Sequence, residues 1–231
     1  MIRISNQIKN YLLLLLIIVS SSCSYFIVPR HIKKGFTFKF DGNNTNIDSL
    51  INIDGYYVVS SVFNQPIYSG KFKTKTSYEL DTLYENFLFY RDGIYVKNIH
   101  DWIGDKDDLN SYFKEVIHDK TGKIKRTYYD CTAWGGYRIF NDTIKVQVIY
   151  KPRFGDADPC WYDDELWFKV IDRNNIIQIE TIPFHKIISS DKGIGEIDKK
   201  GIKYHSATFV KVDTIPDSDC WLKKRKWSWE K

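Results

Sequence analysis

The sequence predicts a mainly β domain, an antiparallel meander that closes into a barrel. Aromatic residues make up 16% of the 231 residues and methionine is nearly absent, which favours a rigid aromatic interior. Apolar and polar residues alternate with a period of two in several segments. Turn residues separate these segments at short intervals, so we expect about eight to nine locally joined strands. Closure into a barrel is the simplest way for such a meander to avoid exposed edges.

The N-terminus has the order of a secretory signal, with a positive start at Arg3 and Lys9 and an apolar block at Tyr11–Val19. The following Ser20-Ser21-Ser22-Cys23 resembles the lipobox of bacterial lipoproteins, with Ser20 where leucine is usual. In that family a signal peptidase cuts before the cysteine, which becomes diacylated with chains such as palmitate. The resemblance implies a signal peptide over residues 1–22 and lipidation of Cys23. It also implies a membrane-anchored location in the cell envelope, at the bacterial outer membrane and facing the periplasm or the surface.

Two other interpretations of this segment stay open. Residues 11–28 carry no charge and reach the length of about 18 residues at which a transmembrane anchor is considered. Flanking charges do not decide, because basic residues lie on both sides. A plain cleaved signal is the third interpretation. All three export the domain and differ only in the anchor.

Residues 23–50 are expected to form an exposed, lipid-anchored tether. A basic cluster lies within Arg30–Gly35, and the turn-rich Asp41–Asn46 follows it. Gly, Asn and Asp at such density leave little to bury. The alternating Phe36, Phe38 and Phe40 could still form an edge strand.

Residues 51–231 are expected to form the barrel domain. In one strand Ile144, Val146 and Val148 share a face, and Ile149 is the exception to the alternation. Asp92-Gly93 is a hairpin turn signal between two strand-like runs. The expected strands are Tyr56–Val62, Ile67–Lys73, Leu88–Tyr90, Ile94–Val96, Tyr137–Phe140, Thr143–Tyr150, Leu166–Ile171, Asn175–Ile182 and Ala207–Val212.

One amphipathic helix is predicted over residues 107–118. Its apolar residues recur at i, i+3, i+4, i+7 and i+8 and form a single stripe. The stripe has no basic flank, so we expect the helix to pack against the barrel wall or to plug one end. The stripe consists of Leu109, Tyr112, Phe113, Val116 and Ile117.

The start of the meander, Asp54-Gly55-Tyr56-Tyr57, resembles the first strand of lipocalin-type barrels. Those barrels carry a Gly-x-Trp motif, which would map onto Gly55-Tyr56-Tyr57 with Tyr57 in place of the tryptophan. The strand plan over residues 54–213 supports the resemblance. It implies a barrel that encloses a small apolar ligand, although a barrel of this size can also be filled by its own side chains.

No sequence motif assigns a catalytic residue, a cofactor or a metal site, so we expect a protein that is not an enzyme. An acidic patch surrounds Pro159–Tyr162, and we interpret it as a solvated loop rather than a calcium site or a hydrolytic carboxylate pair. The patch consists of Asp156, Asp158, Asp163, Asp164 and Glu165. The five histidines are His31, His100, His118, His185 and His205, and they lack metal-ligand spacing.

The cysteines predict one disulfide. If Cys23 carries lipid, three cysteines remain in an oxidising compartment. Cys131 precedes a hairpin and Cys160 follows it, so both would lie toward the hairpin's open end. We therefore expect a bond between Cys131 and Cys160, which leaves Cys220 free.

The basic, tryptophan-containing tail at residues 223–229 could rest on an anionic membrane surface, or could pack its tryptophans against the domain and leave its charges in water. The net charge of +5 is too mild to indicate a nucleic-acid partner. The sequence thus favours a lipid-anchored envelope protein that binds a small apolar or amphipathic ligand in its barrel. The alternative is a non-enzymatic envelope interaction or assembly module, in which the barrel is a scaffold for another envelope protein.

Overall fold

The computed structural model describes residues 27–43, 45–69, 74–97, 106–151, 161–182 and 205–230, with backbone alone for residues 60–69, 74–84, 106–108, 131 and 205. The strands are β1 (Gly55–Ser69), β2 (Thr74–Phe89), β3 (Ile94–Lys97), β4 (Ala133–Phe140), β5 (Thr143–Tyr150), β6 (Tyr162–Val170), β7 (Asn175–Ile182) and β8 (His205–Lys211). The helices are α1 (Arg30–Gly35), α2 (Lys106–His118) and α3 (Lys123–Cys131), with 3-10 turns at Ile47–Ser49 and Lys226–Ser228.

The eight strands form a closed antiparallel barrel in sequence order. Each strand pairs with the next, and β8 returns to β1 with Gly55 opposite Lys211 and Val59 opposite Ala207. This confirms the predicted mainly β, lipocalin-like meander. The expected separate strand from Ile67 is instead the end of β1, because pairing with β2 continues past Pro66, opposite Tyr78, to Ser69, with a register shift between Ile67 and Tyr68.

The period-two alternation separates the barrel interior from its outer wall. Ile144, Val146 and Val148 lie together in the interior core, as predicted. The exception, Ile149, is also buried, but it belongs to a second apolar cluster on the outer face. A strand covered on both faces buries residues of both parities, which explains the break in the pattern.

The two longer helices pack on the outside of the barrel. The predicted helix is confirmed as α2, and its Leu109, Phe113 and Val116 are buried. They share the outer cluster with Tyr56 of β1 and Trp134 of β4. Helix α3 was not predicted, because its short, charged sequence offers only a small apolar face, centred on the buried Tyr128 and the partly buried Ile124 and Tyr129. Helix α2 thus covers the wall rather than plugging an end.

The expectation of an exposed segment holds for Asp41, Gly42, Asn43 and Asn46 but is wrong for the apolar residues before them. Val28, Ile32, Phe36 and Phe40 are buried in the outer cluster, because helix α1 and the extended chain after it lay their apolar side chains on the barrel wall. The approach is close at Gly136, where an added Cβ would lie 2.2 Å from the backbone oxygen of Phe38. Phe40 forms a single parallel bridge rather than an edge strand.

The C-terminal tail packs beside this N-terminal segment. The rings of Phe36 and Trp227 lie 5.7 Å apart, and those of Phe40 and Trp229 lie 5.8 Å apart. Both tryptophans are partly buried, whereas the basic residues from Lys224 to Lys226 are exposed. The tail therefore packs its aromatic rings and leaves its charges in water.

The two rims of the barrel differ. Short turns join β2 to β3, β4 to β5 and β6 to β7 at one end of the barrel, which we call the first rim; the opposite end is the second rim. Residues 45–53 cap the first rim, with Ile47 and Ile51 fully buried against the interior core. Hydrogen bonds hold this cap: the Thr45 N–H donates to the Arg91 carbonyl at 2.9 Å and the Asn52 N–H donates to the Arg173 carbonyl at 3.0 Å.

The lipidation and disulfide predictions lie outside this description. Cys23 and Cys160 are not among the described residues, and the side chain of Cys131 is not described. Cys220 is a free, buried thiol. No helix in the described ranges is long and apolar enough to cross a membrane.

Candidate ligand site in the barrel interior

Aromatic rings fill the barrel next to its capped first rim. Inward-facing positions on β1, β2, β3, β4 and β6 supply them because side chains of one parity share a face. The ring centroids of Phe87 and Phe168 lie 5.0 Å apart, and those of Phe89 and Tyr95 lie 5.2 Å apart. Each such pair contributes about 0.5–1.5 kcal/mol beyond burial. We call this cluster the aromatic floor: Tyr57, Phe87, Phe89, Tyr95, Tyr137 and Phe168.

A layer of polar side chains lies on the second-rim side of the aromatic floor. Glu85 precedes Phe87 by two residues and Lys97 follows Tyr95 by two, so the strand period places both in the barrel. Their side chains form an ion pair, with 3.4 Å between Lys97 Nζ and Glu85 Oε2. Asp164, two residues before Leu166, and Tyr150 at the end of β5 complete this polar layer.

Burial controls the electrostatics of the polar layer. It raises the pKa of Asp164 above its usual range, and the nearby Lys97 ammonium and a hydrogen bond from Tyr150 oppose that rise without cancelling it. Burial also raises the pKa of Tyr150 well above its usual value, and the Asp164 and Glu85 carboxylates raise it further. Tyr150 therefore remains a neutral hydroxyl that donates to Asp164.

Tyr95 joins the aromatic floor to the polar layer. Its side chain is 0% exposed, and its hydroxyl has no hydrogen-bond partner in the described part of the chain. Burial raises the pKa of Tyr95 well above its usual value, and Tyr150, Glu85 and Asp164 add smaller contributions in the same direction. A buried hydroxyl without a partner costs free energy, about 1–3 kcal/mol, so its presence calls for an explanation.

The predicted solvated acidic loop is wrong for three of its five residues. Asp163, Asp164 and Glu165 lie in β6, where strand alternation sends their side chains to opposite faces. Asp164 faces the interior, whereas Glu165 accepts hydrogen bonds on the outer wall from Gln147 at 3.0 Å and from Trp167 at 2.7 Å. Asp156 and Asp158 lie outside the described residues. Nowhere in the described ranges do three or more His, Cys, Asp or Glu side chains form a group that could hold a metal ion.

A surface depression of about 380 Å³ opens beside the first rim. Its charged groups are already paired. Asp92 contacts Lys223 Nζ at 2.9 Å and accepts from the Ser218 hydroxyl at 2.6 Å. Arg91 contacts Asp48 at 3.1 Å. The barrel interior is the stronger candidate because it holds a buried polar atom without a partner.

The fold and the site place this chain in the class of closed antiparallel barrels with a polar interior layer. Comparisons with protein-family models, with curated proteins and with solved structures find no match.

Sequence reasoning missed this site, although a signal for it exists. In β6 the residues Asp164, Leu166 and Phe168 alternate on one face, and Tyr95 and Lys97 do so in β3. Charged residues that lie two positions from buried residues in the same strand share their face, and this pattern indicates a polar layer inside the barrel.

Proposed function

We propose that this protein is an exported, lipid-anchored envelope protein whose barrel binds a small amphipathic ligand. The observation that carries the binding proposal is the Tyr95 hydroxyl, which is fully buried in the barrel interior and lacks a described partner. A barrel filled only for stability would gain from an apolar side chain at this place. A ligand that supplies a hydrogen bond to Tyr95 removes that cost.

The shape of the barrel supports the same proposal. The cap at residues 45–53 and the aromatic floor close the first rim, so a ligand would enter from the second rim. It would then meet the polar layer before the rings. Polar groups at fixed positions next to aromatic surface are the usual composition of a small-molecule site.

Binding is tested by isothermal titration calorimetry on the full chain reconstituted in lipid nanodiscs, with empty nanodiscs as the blank. The probes are tryptamine, tryptophol and indole-3-propionate, which share an indole ring and differ in the charge of the head group. We expect saturable binding of at least one probe at one site per chain. The absence of saturable heat for all three probes at millimolar concentration would contradict the proposed binding function.

A variant that fills the site provides the control for location. Ala133 is buried in the interior core and lies opposite Lys97 in the β3–β4 register. Ala133→Phe places a ring beside the polar layer and is expected to abolish binding. Circular dichroism establishes that the variant remains folded, and unchanged binding by the folded variant would exclude this location.

The anchor is tested separately. Mass spectrometry of the protein from membranes of the producing bacterium is expected to find Cys23 as the first residue, carrying acyl chains. Cys23→Ser should lose both the lipid and the cleavage. An intact N-terminus without lipid would instead support a transmembrane anchor over residues 11–28.

A further inference from the structure

The polar layer has more negative than positive charge. Among the described interior residues, the carboxylates of Glu85 and Asp164 share a single ammonium, that of Lys97. Lys97 lies 3.4 Å from Glu85 and is 12% exposed, so this pair is well formed. Asp164 keeps one hydrogen bond from Tyr150 and only the more distant effect of Lys97. A partly buried carboxylate with so few partners is a site for a further cation.

Tyr95 independently indicates a ligand at the same place. Its buried hydroxyl oxygen has no partner in the described ranges, and Tyr95 lies on the interior face of β3 that also carries Lys97, the partner of Glu85. A neutral phenol oxygen can accept a hydrogen bond from an ammonium group. The acidic surplus and the unused acceptor therefore belong to neighbouring positions of the barrel interior.

Charge distinguishes between the possible head groups of a ligand. An anionic head group would meet both carboxylates and be repelled, whereas an ammonium would be attracted by both.

We propose that the ligand is an amphipathic amine whose protonated head group binds between Asp164, Glu85 and the Tyr95 hydroxyl. This inference rests on the proposed binding function and specifies its ligand class. The ammonium donates hydrogen bonds to the two carboxylates and to Tyr95, and the apolar part of the ligand extends toward the second rim.

The three indole probes test the charge preference on the full chain in nanodiscs. Tryptamine is expected to bind at least tenfold more tightly than tryptophol, and indole-3-propionate at least tenfold more weakly than tryptophol. Equal affinities, or tightest binding by indole-3-propionate, would overturn the amine proposal and leave the binding function standing. Failure of all three probes would overturn the binding function itself.

Two neighbouring residues of β6 give a matched pair of variants. Asp164→Asn removes the interior carboxylate and should reduce tryptamine affinity at least tenfold while tryptophol affinity stays within threefold. Glu165→Gln makes the same chemical change on the outer wall and should leave both affinities within threefold of the parent. Glu85→Gln provides a second interior variant if Asp164→Asn does not fold. Unchanged tryptamine affinity in a folded interior variant would overturn the assignment.

Discussion

The side-chain oxygen of Gln147 on β5 accepts a hydrogen bond of 2.7 Å from the backbone N–H of Thr37. The same oxygen accepts a second bond, of 3.1 Å, from the N–H of Phe38. Gln147 is buried on the outer wall, and its amide nitrogen donates to Glu165. This one amide therefore fastens the N-terminal segment to the barrel.

Replacement of Gln147 by alanine should destabilise the domain. The change removes the acceptor of two backbone N–H groups, and an unpaired polar group in a partly buried place costs about 1–3 kcal/mol. Urea unfolding followed by tryptophan fluorescence measures the free energy of unfolding. The control Gln178→Ala loses an exposed hydrogen bond to Thr181 and should stay within about 0.5 kcal/mol of the parent. Equal values for the two variants would show that the Gln147 contacts contribute little.

Two tyrosines distinguish a binding hydroxyl from a structural one. The Tyr57 hydroxyl donates to the backbone oxygens of Arg173 and Asn52 at the capped rim, at 2.9 and 3.2 Å. Tyr57→Phe should therefore lower the free energy of unfolding by about 1 kcal/mol. Tyr95→Phe removes a hydroxyl that has no described partner and should leave the ligand-free protein equally stable or more stable. A loss of stability in Tyr95→Phe as large as that in Tyr57→Phe would contradict this assignment.

Much of the barrel is predictable from the sequence because short turns and period-two alternation are local signals. The hairpin around Gly93, whose φ of +85° suits glycine, is one example. The length of β1 is not predictable in this way, since Pro66 and its polar neighbours look like a strand boundary. The docking of residues 27–50 also depends on distant partners, such as the groove at Gly136.

The site escaped prediction for a related reason. Glu85, Lys97 and Asp164 come from three strands that are far apart in sequence, and only the closed register brings them together. The predicted acidic loop includes Asp164, which hides the fact that Asp164 shares a strand face with Leu166 and Phe168. The site was missed mainly because the ends of the strands could not be predicted, and less because its residue types were unusual.

Asp119 is expected to titrate at unusually low pH. Its carboxylate accepts hydrogen bonds from the Thr121 hydroxyl at 2.6 Å and from the Thr121 N–H at 2.8 Å. It also accepts the Ile124 N–H at the start of α3, at 2.7 Å. These bonds, led by that of the Thr121 hydroxyl, lower the pKa of Asp119 from 3.8 to about 2.

The lowered pKa of Asp119 fixes the sign of its pH dependence. Its folded pKa lies below its unfolded value, so the stabilisation is complete above about pH 4 and is lost as the pH falls toward 2. Carboxyl-carbon NMR should give a midpoint near 2. The stability difference between the parent and Asp119→Ala should shrink over the same range. A midpoint near 3.8 would show that the carboxylate does not cap α3.

Asp164 is expected to show the opposite pH dependence. Burial raises its pKa above 3.8, which means that the folded state binds the proton more tightly than the unfolded state does. Its contribution favours folding below pH 3.8 and is lost as the pH rises through the folded pKa.

Asp164→Asn lacks this titration, so its stability relative to the parent should increase as the pH rises from below 3.8 toward neutrality. Urea unfolding at a series of pH values measures the difference. A relative stability of Asp164→Asn that stays constant or falls over this pH range would contradict the prediction. Added tryptamine should stabilise the parent more than the variant at neutral pH, because a bound ammonium supplies the positive charge that the Asp164 carboxylate lacks.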